Sequence, residues 1–376
     1  MTQNNHNHNH NHNHNHNLIL EYIWLDSEGN SRGKTKVMNN TKNYTYVELS
    51  RNPSLLPKWN YDGSSTKQAT TESSEVILNP VKVVLDPFRQ TRGCNRDNQS
   101  LYCLVLCDTY KSNNIPLESN TRYHAVNIFD NESNHKEPMF GLEQEFFISK
   151  RLCSDKPPVP IAFYTSPPES QGEYYCGVGG TNVYGRKLVE EMLDKLNYAG
   201  LPITGLNAEV APSQWEFQVC SIGIDAADSL ILLRYICNRV LESQDMFMDL
   251  AAKPVKGDWN GSGCHINYST SLMRDTNGID HINAAIAALS NKHSLHIKHY
   301  GDDNLERLTG HHETSSADTF TSSVAGRNTS IRIPSDTYNN KCGYFEDRRP
   351  SSSLDPYKAT ALLHATSVGV SQTCWD

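Results

Sequence analysis

The chain has 376 residues, 37% of them hydrophobic and 20% charged, the balance of a globular protein with room for one large domain or two. Its 34 basic and 42 acidic residues leave a net charge of -8, which argues against nucleic acid or an anionic membrane surface as the main partner. No apolar run approaches a membrane span, and the N-terminus lacks the basic start and apolar core of a secretory signal, so a cytoplasmic location is expected.

Residues 1–17 are dominated by six Asn-His repeats. Such a tract has no means of building a core and is expected to be disordered. It matches either a purification tag or a natural asparagine-rich segment, and its histidines are set aside here. From Leu18 to about Tyr110 the chain reads mainly as strands and turns. Ile19–Leu25, Val76–Leu78, Val81–Leu85 and Leu101–Leu106 are β-rich, and the Asp26–Gly29 turn closes the first of them. Thr91–Ser100 reads as a hairpin loop and Ser112–Asn120 as a linker.

Helical periodicity follows. Tyr184–Ala199 and Asp228–Ala252 carry apolar residues at helical spacing. Asp280 is placed to cap a helix bearing Ile282, Ala285, Ile286 and Leu289. Strands are expected at Glu216–Val219, Gly263–Asn267 and Ser330–Ile333. Strands and helices without regular βαβ alternation point to an α+β fold. Neither a dinucleotide-binding glycine fingerprint after a strand nor a Walker-A loop occurs. Ten cysteines are present with no C-x-x-C pair, and reduced thiols are expected.

Gly141-Leu-Glu-Gln-Glu-Phe-Phe-Ile148 puts Glu143 and Glu145 two residues apart in a predicted strand, and therefore on one face. Two partly buried acids on one face suit a hard divalent cation; taken alone, a solvated acidic face fits as well. Three more segments carry candidate chemistry: Asn207–Gln218 with Glu209 and Glu216, Asn260–Asn267 with His265, and Gly343–Pro350 with Glu346 and its arginines. Each alone has an ordinary structural explanation, such as a core histidine, a turn or a surface ion pair.

Together with Trp59–Thr66, Asp86–Arg89, Tyr174–Gly179, Leu308–Thr314 and Ser330–Pro334, these segments resemble glutamine synthetase of the eukaryotic type from Tyr22 to about Tyr357. The resemblance implies a small β-grasp-like domain over residues 18–111. It implies a catalytic domain over 112–376, with a curved antiparallel sheet and surrounding helices. The implied reaction is ATP-dependent ligation of glutamate and ammonia. One Mg²⁺ or Mn²⁺ ion is expected on Glu145, Glu209 and Glu216, and another on Glu143, His265 and Glu346. Arg307, Arg348, Asn260 and Gly261 are expected to bind glutamate, and Arg327 the transferring phosphate. Arg332, Glu143, Glu216, Phe217, Gln218, Asn267, Tyr268, Ser269 and Tyr344 fall on the ATP side. Arg349 alone reads as a surface charge. Asp62 is expected to take the ammonium proton, and Glu313 to close over the intermediate. The family further implies pentameric rings, stacked as a decamer, with Asp62 acting on the neighbouring subunit. Cys220-Ser221 and Asp258 depart from the family pattern, but all six implied metal ligands are present. A non-catalytic ring protein, or a ligase for another amine, is the competing expectation.

Overall fold

The computed structural model describes residues 17–89, 100–130, 136–151, 158–164, 174–370 and 374–375. The Asn-His tract, residues 91–99 of the expected hairpin loop and most of the stretch from 150 to 172 lie outside it. Five strands form a first sheet: β1 (Asn17–Leu25), β2 (Ser31–Asn39), β3 (Trp59–Asp62), β4 (Glu75–Leu85) and β5 (Leu101–Lys111), in the order β2-β1-β5-β4-β3. β1 and β5 run parallel at its centre, and the other pairs are antiparallel. β2 escapes hydrophobic patterning because it is polar and largely exposed. Val76–Leu78 and Val81–Leu85 are one strand, not two. The register shifts between Pro80 and Lys82, a bulge that lets proline, which has no N–H to donate, stand within a strand. Helix α1 (Tyr46–Arg51) is closed by a capping box between Thr45 and Glu48.

The chain then enters α2 (Thr121–Phe129) and the longest strand, β6 (Met139–Lys150). β7 (Val159–Pro160), α3 (Arg186–Ala199), β8 (Ile203–Ala208), β9 (Gln214–Ile222), α4 (Ile224–Glu242), β10 (Met246–Asp249) and β11 (Cys264–Ser269) follow. Next come α5 (Ser271–Arg274), α6 (Ile279–Asn291), α7 (His293–His299), β12 (Ser322–Val324), β13 (Ile331–Ile333), α8 (Ser335–Asn340), β14 (Phe345–Asp347) and α9 (Pro356–Val368). The second sheet is a curved half-barrel in the order β12-β13-β14-β11-β6-β9-β8, with β7 and β10 paired to the far end of β6. It is antiparallel except for the edge pair β12–β13. The fold is thus α+β, as expected.

Two helix expectations need correction. The helix expected over 228–252 ends at Glu242. Asp245 takes a left-handed φ of +54°, and Met246–Asp249 pairs with the end of β6 instead. Asp280 lies in the first turn of α6 rather than at its cap, which is Gly278.

The first sheet has two apolar faces. Leu18, Leu20, Tyr22 and Trp24 pack in a small core with Leu49 and Tyr61. Ile23, Val84, Leu104 and Leu106 belong to the large core beneath the second sheet. Polar ties reinforce that junction. Glu21 of β1 accepts from Tyr235 of α4 at 2.8 Å and pairs with Arg89 and Arg239, and Lys82 pairs with Asp225. No helix among the described residues is long and apolar enough to cross a membrane.

Candidate active site

Strand alternation sorts β6 into two faces. Leu142, Gln144, Phe146 and Ile148 are fully buried, while Glu143 and Glu145 line a cavity of about 180 Å³ on the concave side. Register places their neighbours. Glu143 stands opposite His265 of β11 and Gln218 of β9. Glu145 stands opposite Glu216, and Glu216 opposite Asn207 of β8. Glu346 of β14 stands between Asn267 and Arg332. Adjacent rungs of β8, β9, β6, β11, β14 and β13 thus supply the floor of the cavity, and loops add Glu209, Asn260, Gly261, Arg307, Glu313 and Arg327.

His265 is the meeting point. Its Nδ1 lies 3.5 Å from Glu143, 3.6 Å from Glu346 and 3.9 Å from Glu145. Glu143, His265 and Glu346 offer ligand atoms within 4.8 Å of one another. Arg307 donates to His265 Nε2 at 2.9 Å and to the carbonyls of Arg348 and Arg349 at 3.0 and 3.3 Å. Glycine is required where Arg307 passes: a Cβ at Gly263 would lie 2.5 Å from its Nη2, and one at Gly261 2.7 Å from its Cγ. Glu346 is held by Arg348 at 2.6 Å and Arg332 at 2.9 Å. Glu145 accepts from the Gly263 N–H at 2.7 Å. Glu209, in the loop after β8, accepts from Asn207 at 2.8 Å, and Glu216 accepts from Gln218 at 2.8 Å.

Among the described residues, Glu145, Glu209 and Glu216 have no ion pair with an arginine as close as those of Glu346. Burial pushes Glu145 up to about 8, aided by the charge of Glu209. Burial and the charges of Glu143, Glu145 and Glu209 push Glu216 up to about 9. Glu209 rises to about 7, again chiefly through burial, and burial also raises Glu143. His265 is held well below its ordinary value by burial and by Arg348, so it is a neutral imidazole at pH 7. Burial lowers Arg307 to about 10. Carboxylate oxygens and one neutral imidazole form a donor set that fits hard divalent cations, not a thiolate zinc site.

Asn260, Gly261, Arg307, Arg327 and Arg348 all line the cavity, as do Gln218, Arg332 and Glu313. Arg327 reaches Glu313 at 3.4 Å, and both are exposed at the rim. Asn267 donates to Glu143 at 2.6 Å. Tyr344 is exposed. Phe217 and Tyr268 point the other way. Phe217 stacks on Phe146, and the Tyr268 hydroxyl lies 2.8 Å from His364 Nδ1 in the core, so these two positions can meet a ligand only through their backbone. Ser269 is buried, its hydroxyl accepting from Arg274 at 3.0 Å. Asp62 is exposed at the end of β3, outside the cavity lining, with its carboxylate accepting from Ser64 and Ser65.

Arg349 corrects the expectation of a surface charge. It is fully buried, paired with Asp347 at 2.6 Å and packed against the rings of Tyr300 and Phe320. The strand alternation that sends Glu346 and Arg348 into the cavity sends Asp347 and Arg349 behind it. Tyr175, Asn207, His312 and Thr314 also line the cavity. Sequence reading quoted them only as parts of motifs, because nothing in residue type distinguishes a lining position from its neighbours.

Comparison with known proteins agrees with this geometry. Residues 121–297 match the family model described as glutamine synthetase, catalytic domain. The chain is 44% identical over 353 residues to the chloroplastic leaf isozyme of glutamine synthetase from Hordeum vulgare, covering 93% of this chain and 77% of that one. It is 42% identical to glutamine synthetase PR-1 of Phaseolus vulgaris over 354 residues and to the cytosolic isozyme of Daucus carota over 352. Each of these alignments covers 93% of this chain and 94% of the relative.

Proposed function

The chain belongs to the glutamine synthetase family, and from that premise we infer what each part of the cavity does. The protein is a glutamate–ammonia ligase that uses ATP and divalent metal ions. A carboxylate oxygen of the glutamate side chain attacks the γ-phosphorus of ATP, and ADP leaves. The nitrogen of ammonia then attacks the acyl carbon, and phosphate leaves as glutamine forms. The observation that carries this assignment of roles is the convergence of four arginines with Glu143, Glu145, Glu209, Glu216, Glu346 and His265 around one cavity.

Arg307 and Arg348 are assigned to the carboxylates of glutamate, with Asn260 and Gly261 beside them. A guanidinium fork grips a carboxylate through two parallel hydrogen bonds. Arg327, at the rim, serves the phosphoryl group, and Arg332 the ATP side with Gln218, Asn267 and Tyr344. Glu145, Glu209 and Glu216 would hold one ion, and Glu143, His265 and Glu346 another; Mg²⁺ or Mn²⁺ is the reading that the oxygen-rich donors support. Bound ions neutralise the phosphates of ATP and the charge that develops during transfer. Glu313 stands over the cavity mouth, placed to keep water from the acyl phosphate.

Asp62 is assigned to ammonium, whose proton must leave before its nitrogen can attack. Its position outside this chain's own cavity supports action in a neighbouring subunit, with residues 18–111 as the arm that carries it and pentameric rings, paired as a decamer, as the assembly. A cytoplasmic site of action is supported by the cytosolic relative, although chloroplastic relatives match as well.

The test is glutamate-dependent phosphate release from ATP with Mg²⁺, with and without ammonium, followed by detection of glutamine. Phosphate and glutamine should appear together and vanish in Glu346→Ala. A well-folded protein that releases neither would sink the assignment.

A further inference from the structure

Two side chains that have no part in the reaction above connect Glu313 to the loop on the glutamate side. His312 Nε2 lies 2.9 Å from Asp258 Oδ1. The imidazole is mostly buried in the cavity wall, with 21% of the side chain exposed, whereas the carboxylate is 88% exposed. Asp258 sits just before Asn260 and Gly261, and its loop is well fastened. The Trp259 ring meets Phe163 edge-on at 5.1 Å, Lys253 donates to the Trp259 carbonyl, and Lys256 pairs with Glu306.

The other end of the pair is under tension. His312 and Glu313 both take left-handed backbone angles, φ +53° and +60°, which side chains other than glycine adopt only when surroundings hold them there. Thr314 anchors the turn, its hydroxyl donating to the carbonyls of His311 and Arg307 at 2.8 and 3.2 Å. Glu313 itself is held by Arg348, which donates to its carbonyl at 3.2 Å, and by Arg327 at 3.4 Å. Both arginines are assigned to substrate, so both are drawn toward bound anions as the reaction proceeds. The tie between His312 and Asp258 is not.

We propose that His312 and Asp258 form a latch that makes occupation of the glutamate pocket and closure of Glu313 over it a single event. The inference rests on the ligase reading and deepens it. Both are positioning residues. Their service is to prevent a leak: a water oxygen attacks the acyl carbon, the bond from that carbon to the phosphate oxygen breaks, and glutamate and inorganic phosphate are released with one proton. A latch that fails lets ATP be consumed without glutamine.

The experiment measures phosphate released per glutamine formed, at saturating ATP and Mg²⁺ and limiting ammonium, in the full-length oligomer. Wild type should give a ratio near one. Asp258→Ala and His312→Ala should each raise it about threefold or more, and the double variant should be no worse than either single, since a shared contact is lost only once. Asp258→Asn, which keeps an acceptor for the imidazole, should restore the ratio. Amide exchange at residues 311–314 gives a second measure that does not depend on turnover: glutamate with a non-hydrolysable ATP analogue should slow it in wild type and not in Asp258→Ala. A ratio that stays at one in both alanine variants, or a double effect equal to the product of the singles, overturns the latch. Wild type that forms no glutamine at all overturns the ligase assignment, and the latch with it.

Discussion

Arg307 donates a hydrogen bond to His265 Nε2 at 2.9 Å while the opposite nitrogen of the same ring faces three carboxylates. A guanidinium has only donors, so Nε2 must be the bare nitrogen and Nδ1 must carry the proton. A cation bound at Nδ1 needs the reverse arrangement, with the proton on Nε2, where it can no longer accept from Arg307.

On the roles proposed above, the metal ligands and the glutamate-binding arginine would therefore be linked through one imidazole. Binding Mn²⁺ should release the Arg307 fork for substrate and raise glutamate affinity, with a coupling on the order of 1–3 kcal/mol, about 5–150-fold. Titrating Mn²⁺ by electron paramagnetic resonance with and without glutamate measures this. Arg307→Lys should weaken the coupling, because an ammonium cannot reproduce the fork; equal coupling in that variant would refute the link.

The raised carboxyls predict a pH dependence with a definite sign. Glu209, Glu145 and Glu216 sit at about 7, 8 and 9 in the folded chain, against an ordinary 4.5. Between these limits the folded state holds more protons than the unfolded one, so metal-free stability should fall as pH rises through that window and level off above it. A cation held by these carboxylates, as proposed, would have to displace those protons, so its affinity should climb with pH, by roughly tenfold or more from pH 6.5 to 8.5. Thermal melts across that range with and without Mg²⁺ should show the metal-dependent gain in Tm growing with pH.

Removing one member of the Asp347–Arg349 pair leaves a charge stranded in the core. Arg349→Met or Asp347→Asn should each cost about 3–5 kcal/mol in urea unfolding. Because Arg307 donates to the backbone carbonyl of Arg349, the same variants should raise KM for glutamate more than KM for ATP. A purely structural pair would lower stability and leave the ratio of the two KM values unchanged.

If Asp62 serves a neighbouring subunit, inactive variants should rescue each other. Asp62→Asn and Arg348→Ala oligomers, each dead, should recover about a quarter of wild-type activity once dissociated, mixed in equal amounts and reassembled, the fraction expected for random neighbours in a ring. Recovery confined to background would mean that Asp62 acts within its own subunit and would refute the shared site.

What the sequence made legible depended on whether one residue's neighbours along the chain decide its fate. The i, i+2 spacing in β6 was enough to put Glu143 and Glu145 on one face. It could not reveal that Phe217, between the cavity-lining Glu216 and Gln218, and Tyr268, next to Asn267, turn into the core, since aromatic residues are at home on either face of a strand. Arg349 differs for the opposite reason: a charge next to charges looks solvated until Tyr300 and Phe320 are brought around it and its neighbour Asp347 from two other parts of the chain. β2 and β10 were missed because a polar edge strand and a four-residue strand carry too little pattern.

β1 is paired along both edges and divides its side chains between two cores, Tyr22 and Trp24 to one and Ile23 to the other. Such a strand denies the first sheet a melting transition of its own. Calorimetry of one subunit fold should therefore trace a single endotherm rather than two, and protection of amides in β1 should track the most slowly opening part of the molecule.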